Sequence, residues 1–295
     1  MMTTQGSENA NDIVGASYVG EPKDHTVMYV SKKVMHLVSR LNGIKGSLIF
    51  AERGMEIPEE IQRENQFVFT DNPQREYAEF VRAYAKKRFE EDGKRKYVMT
   101  SGGYYIGENV TIGEDSLIEP GCLIGHNVVI GRNAYIMAGV KIKNAIIGHD
   151  FVAAENAVIG AYGYTITQDS EGNKMRIPSI GKVIIGDFVE VGVCDNISVG
   201  SAGNTIIEDY VKLDALVHIG HDARIKKNAE ITAGSIVGGF DTVGENVFIG
   251  INACIRNRVT LGNSSLIGMG ATVTKDISNN EVVVGNPAHS LENKG

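Results

Sequence analysis

The chain has 295 residues, 42% hydrophobic and 22% charged, which is ordinary for a globular protein long enough to bury one or two cores. Its formal net charge of −7 argues against a broad nucleic-acid-binding face, and no apolar run approaches the roughly 20 residues that span a bilayer. The opening MMTTQGSENANDIVG lacks the charged and apolar parts of a secretion signal, and Cys122, Cys194 and Cys254 have neither disulfide-framework nor zinc spacing, so a reducing cytoplasm is expected.

Residues 1–20 read as a polar, flexible lead. Residues 21–100 read as a small α/β domain. TVMYV, GSLIF and FVFT are strand-like, with SKKVMHLVSRLN as an amphipathic helix between the first two. The Asp-Asn-Pro at 71–73 signals entry into a long helix, with Tyr77, Phe80, Val81 and Tyr84 at helical spacing and Gly93 at its end.

From residue 106 the period becomes six. IGENVT, IGEDSL, IEPGCL, IGHNVV, IGRNAY and IMAGVK run without a break, and from 207 to 278 twelve hexads stay in register. Two slips and the interruption IGAYGYTITQDSEGNKMRIPSIGKV separate the runs. A six-residue period fits neither an α-helix nor a hairpin meander; it predicts a parallel β-helix with three hexads, about 18 residues, per coil. The aliphatic residue opening each hexad points inward, and Gly, Asn and Asp take the corners. The predicted fold is mainly β: a hexapeptide β-helix over 101–280 with a loop insertion at 161–183, and a tail over 281–295.

His221 and Gly239 are each the third residue of their hexads and lie one coil apart, so they should stack. An imidazole serves as a general base near neutral pH, and a backbone N–H bare of side chain can hold an oxyanion. That pair suits attack of an amine or hydroxyl on a thioester. IGH occurs three times, however, at His126, His149 and His221, and His218 is a further candidate. Spacing alone does not choose among them, and a corner requirement would equally explain Gly238 and Gly239. A zinc site of the hexapeptide carbonic anhydrase kind needs histidines in one coil phase, which the 23-residue separation, and the 72-residue one with a slip between, do not give.

These motifs resemble the bacterial UDP-3-O-acylglucosamine N-acyltransferase family of lipid A synthesis over nearly the whole chain. HTVMYVSKK, GSLIF and FVFTDNPQREYAEF are similar to its uridine-binding domain, with Asn72, Pro73, Tyr77 and Ala78 on its NPxxxYA element; Ser31–Val34 departs from the family's pocket sequence. LDALVHIGHDA resembles the segment bearing the catalytic histidine, which falls on Asp214 and His221, and the oxyanion amide falls on Gly239. The C-terminal half also resembles the hexapeptide N-acetyltransferases of nucleotide-linked amino sugars. There HDxxI supplies the base, again His221, with Asp222 following, and IGMGATVTKDISNNEVVVGNPAH is similar to their coenzyme-A-binding tail.

The resemblance implies a left-handed coil, a homotrimer and a cytoplasmic acyltransferase, with no metal or other tightly bound cofactor, no nucleic-acid partner and no integral membrane segment. Acyl would pass from a thioester, a short acyl-CoA such as acetyl-CoA, to the amine of a nucleotide-linked amino sugar. One alternative is a lipid-A-type N-acyltransferase using 3-hydroxyacyl carrier protein; another is a non-catalytic scaffold. The expected catalytic residues are His221, Asp214 or Asp222 as its partner, and Gly239. Tyr162, Tyr164 and His218 are expected at the acceptor, and Gly250, Gly268, Gly270, Gly285 and Pro287 at the donor.

Overall fold

The computed structural model describes residues 13–290, so the first twelve residues of the expected lead and the last five of the tail lie outside the described residues. Two compact units emerge. One comprises residues 13–90 with Tyr164–Gly181 and Ser201–Gly203; the other comprises Glu91–Gly163, Lys182–Gly200 and residues 204–290.

The first unit is built on a four-stranded parallel sheet of Gly15–Ala16, Thr26–Val30, Leu48–Glu52 and Gln66–Thr70, in that order. A parallel sheet needs cover on both faces. Met28, Val30, Ile49 and Ala51 pack on one side with Val38, Leu41 and Ile61. Val27, Leu48 and Phe50 pack on the other with Tyr77, Ala78 and Val81 of the helix Pro73–Asp92. Part of the expected flexible lead is ordered: Ile13 is buried and Gly15–Ala16 extends the sheet. The helix expected at 31–42 is a 3-10 helix over Lys32–Leu41, broken at Val34. Its first turn carries Lys32 and Lys33 and no acidic residue, which opposes the helix dipole. A short helix at Glu59–Glu64 was not legible in the sequence. The insertion forms an antiparallel hairpin of Thr165–Gln168 and Lys174–Ile177, and its Met175 and Ile177 join this unit's core.

The second unit is a parallel β-helix with three sheets. The first holds ten strands, among them His218–Ile219, Ile236–Val237 and Cys254–Ile255; the second holds eight, among them Arg224–Ile225 and Thr242–Val243; the third holds ten, among them Lys212–Leu213, Glu230–Ile231 and Phe248–Ile249. Ile219 pairs with Val237, Ile225 with Val243 and Ile231 with Ile249, an 18-residue register. All six are fully buried, as the period predicts. Burial of each such side chain contributes about 1.5–3 kcal/mol. Asn109, Asn127, Asn228, Asn246 and Asn252 turn corners at positive φ, a conformation Asn tolerates better than most residues. No helix of the described residues is long and apolar enough to cross a membrane.

Candidate active site

His221 sits at the corner where the chain leaves the first sheet for the second. Its Nδ1 lies 2.8 Å from Asp222 Oδ2, with the carboxylate 1% exposed and the imidazole 16% exposed. Asp222 takes positive φ at this corner, and its backbone N–H donates to the buried Thr205 hydroxyl at 2.9 Å. An ionised carboxylate only accepts hydrogen bonds, so this contact puts the imidazole proton on Nδ1 and the basic lone pair on Nε2.

The other two IGH histidines have the opposite arrangement. His126 Nδ1 accepts the Glu108 N–H at 2.8 Å, and His149 Nδ1 accepts the Arg132 N–H at 3.0 Å. A neutral ring whose Nδ1 accepts carries its proton on Nε2. These two rings cap the backbone of the coil below. The structure thus separates His221 from the two other histidines that share its IGH motif.

Gly239 stacks one coil above. A Cβ built on it would lie 2.8 Å from His221 Nε2, so any side chain there would displace the ring. Positive φ at this corner belongs to Phe240, not to Gly239, so the glycine answers to space and not to backbone conformation. At several corners a side chain caps the third-residue amide, as Asn263 does for Glu245 and Asp187 for His149. Others leave this amide without such a cap. Gly239 is among them: no acceptor among the described residues is bonded to its N–H. Gly220 is glycine for a different reason, since its Cβ would sit 2.6 Å from the Gly239 nitrogen.

The remaining expected residues divide. His218 lies on the strand entering the corner, paired in register with Asn196 and Ile236. Burial, and then the charge of His221, hold its pKa below the usual histidine value, which favours the neutral ring. Asp214 follows a strand of the third sheet, at another edge of the coil, and accepts the Ala215 and Ala233 N–H groups at 2.8 and 3.2 Å. The structure brings Asp222 to His221, not Asp214. Gly250 and Gly268 also follow third-sheet strands, at that other edge, and both are pressed by the next coil. Gly270 turns its corner at positive φ, as does Gly285 after Val282–Val284; Pro287 follows two residues later. Tyr162 is half exposed, and Tyr164, in the other unit, lies with its ring 5.0 Å from the Arg176 guanidinium.

Sequence reasoning missed two neighbours. Phe240 meets His221 edge-on at 5.3 Å, and the Arg258 guanidinium lies 4.2 Å from the Phe240 ring centre. Sequence offered little signal, since the same corner position holds Phe188, Tyr210 and Leu216 in other coils. Among the described residues no three His, Cys, Asp or Glu side chains are arranged to hold a metal ion.

Residues 109–144 and 242–275 match the bacterial transferase hexapeptide (six repeats) family. UDP-3-O-acylglucosamine N-acyltransferase 2 of Legionella pneumophila (strain Paris) is 46% identical over 94 residues, 32% of this chain and 27% of that protein. UDP-3-O-acylglucosamine N-acyltransferase of Caulobacter sp. (strain K31) is 31% identical over 154 residues, 50% of this chain and 45% of that protein. The chain thus spans less than half the length of these curated relatives, and the resemblance expected over nearly the whole chain covers at most half of it in these matches. Among solved structures, Francisella novicida UDP-N-acetylglucosamine acyltransferase superposes with a TM-score of 0.59 at 26% identity, covering 65% of this chain and 68% of that one. LpxA from Acinetobacter baumannii gives 0.60 at 22%, covering 66% and 74%. The chain is therefore a left-handed parallel β-helix of hexapeptide repeats, similar to the UDP-3-O-acylglucosamine N-acyltransferases.

Proposed function

We propose that the protein is an N-acyltransferase that moves an acyl group from a thioester to the amine of a nucleotide-linked amino sugar. The observation that carries this reading is the His221–Asp222 pair, whose ring nitrogen Nε2 faces the backbone of Gly239. In the reaction, Nε2 takes a proton from the attacking amine as its nitrogen bonds to the thioester carbonyl carbon. The Gly239 N–H supports the oxygen that becomes negative. Collapse of the tetrahedral intermediate breaks the carbon–sulfur bond, and the imidazolium returns its proton to the departing thiolate. Asp222 holds the ring in the productive tautomer and balances the imidazolium charge.

The acceptor named in the relatives is a UDP-linked, O-acylated glucosamine. That favours a lipid-A-type reaction with a 3-hydroxyacyl carrier protein donor over the short acyl-CoA that the tail suggests. A homotrimer and a cytoplasmic location belong to the same reading. A non-catalytic scaffold accounts less well for a buried carboxylate placed on one imidazole and withheld from the other two.

A donor screen from acetyl-CoA to 3-hydroxyacyl carrier protein, against UDP-linked amino sugars with and without a 3-O-acyl group, tests the proposal. Transfer from the carrier protein to the 3-O-acylated acceptor is expected. His221→Ala should lower that turnover by about 10²–10⁴-fold. Preference for acetyl-CoA would overturn the donor assignment, and no transfer from any donor would overturn the function.

A further inference from the structure

Asp241 is fully buried, two residues after Gly239, and takes no part in the chemistry above. Its hexad position is inward and is filled elsewhere mostly by Ala and Val, with Ala223, Ala229, Ala253 and Ala271 among them. Its carboxylate accepts the Gly238 N–H at 2.8 Å and the Val259 N–H, one coil up, at 2.8 Å.

The first of these bonds departs from the ladder. The N–H of a hexad's second residue normally donates to the carbonyl of the residue opening the hexad one coil up: Gly220 to Val237, Gly250 to Ile267, Arg256 to Val273. By that register Gly238 would donate to Ile255, and instead it donates to Asp241. The same diversion occurs at one edge of an earlier coil, where Asp195 accepts the Gly192 and Val217 N–H groups, each at 2.7 Å. There the third residue is Val193, and the turn follows a strand of the third sheet, away from the histidine edge.

We propose that Asp241 is a positioning residue: by drawing the Gly238 N–H off the inter-coil ladder, its carboxylate sets the orientation of the following peptide, whose N–H is that of Gly239. This rests on the functional reading above, in which that N–H holds the oxyanion. Burial pushes the Asp241 pKa up to about 7, against the lowering effect of its backbone donors and of Arg256. A neutral alanine would be the easier occupant of the site, as Ala223 is one coil below. A buried acid retained here fits a role other than stability.

The test compares Asp241→Ala with Asp195→Ala. Asp241→Ala is expected to fold, because the repeat itself places Ala at this position, and to lose about 10- to 100-fold in kcat. KM for both substrates should stay within about threefold, since the turn acts on the transition state. Asp195→Ala should keep kcat within about twofold. Normal kcat in Asp241→Ala, or an equal loss in Asp195→Ala, would overturn the proposal. A crystal structure of Asp241→Ala judges it independently of activity: the Gly238 N–H should return to Ile255 and the Gly239 amide should rotate. An unmoved Gly239 peptide would overturn the positioning role, whereas a wild-type protein inactive on every donor would overturn only the functional reading.

Discussion

Asp222→Asn tests the tautomer argument at its most exposed point. The substitution keeps size and shape, and Asn already occupies positive φ at the equivalent corner of other coils, at Asn109 and Asn127, so the fold should hold. The Nδ1–carboxylate contact of 2.8 Å is a charge-assisted hydrogen bond in a site where Asp222 is 1% exposed. Such bonds contribute about 1.5–3 kcal/mol, and losing that from an imidazolium-like transition state gives about a 10- to 150-fold fall in turnover. The carboxamide can also turn its NH2 toward Nδ1, which would place the ring proton on Nε2 and remove the base. With that inversion the fall should reach about 10³–10⁴-fold. Steady-state kcat and KM, with the imidazole tautomer read from nitrogen chemical shifts, measure both parts. A variant with kcat within threefold of wild type, its proton still on Nδ1, would refute the reasoning.

His126→Ala and His149→Ala should each leave turnover within about twofold while lowering stability by about 0.5–1.5 kcal/mol, because the Glu108 or Arg132 N–H loses its acceptor; thermal denaturation and kcat together check this. Ile231→Asp would bury an unpaired carboxylate at a fully buried position and should cost several kcal/mol, so a variant that melts like the parent would show that Ile231 does not face the core. Burial raises the pKa of Asp195 to about 6 and of Asp241 to about 7, both from 3.8, so the folded chain binds more protons than the unfolded chain within those windows. Stability should therefore be greatest near the lower limit and fall as pH rises through about 6 and 7, by at most about 3 and 4 kcal/mol respectively, and denaturant titrations from pH 4 to 8 should show the slope flattened in each alanine variant.

The β-helix was legible because one inward residue per hexad repeats without regard to its neighbours. The 18-residue coil then makes spatial partners a matter of counting, and that is how His221 met Gly239. What counting could not supply was direction. The resemblance offered both Asp214 and Asp222 as partners for His221, but the coil turns between Asp214 and His221 and leaves Asp214 at a different edge. His126 and His149 share their motif with His221 and differ in what meets Nδ1, a backbone N–H in the first two and a carboxylate in the third. The diversion of the Gly238 N–H was hidden for a similar reason, since seeing it requires knowing which carbonyl the register assigns to that amide. Gly15–Ala16 was missed because two residues are too few to show any alternation.

Three costly residues meet around His221. Asp222 brings a carboxylate to a nearly buried position, Phe240 holds a bulky side chain at positive φ, and Asp241 puts a second acid inside the coil. Each opposes folding on its own account. They fall in two adjacent hexad positions of neighbouring coils at one edge, around a single imidazole, although a buried acid also occurs at Asp195 and bulky residues also take positive φ at Phe188, Tyr210, Leu216 and Arg258. A repeat that holds itself together through many equivalent ladder bonds can carry a few unfavourable residues at one place without losing register. What distinguishes this edge is the meeting of all three beside the pair that stacks by coil spacing, and that conjunction is the pattern expected when residues are kept for chemistry.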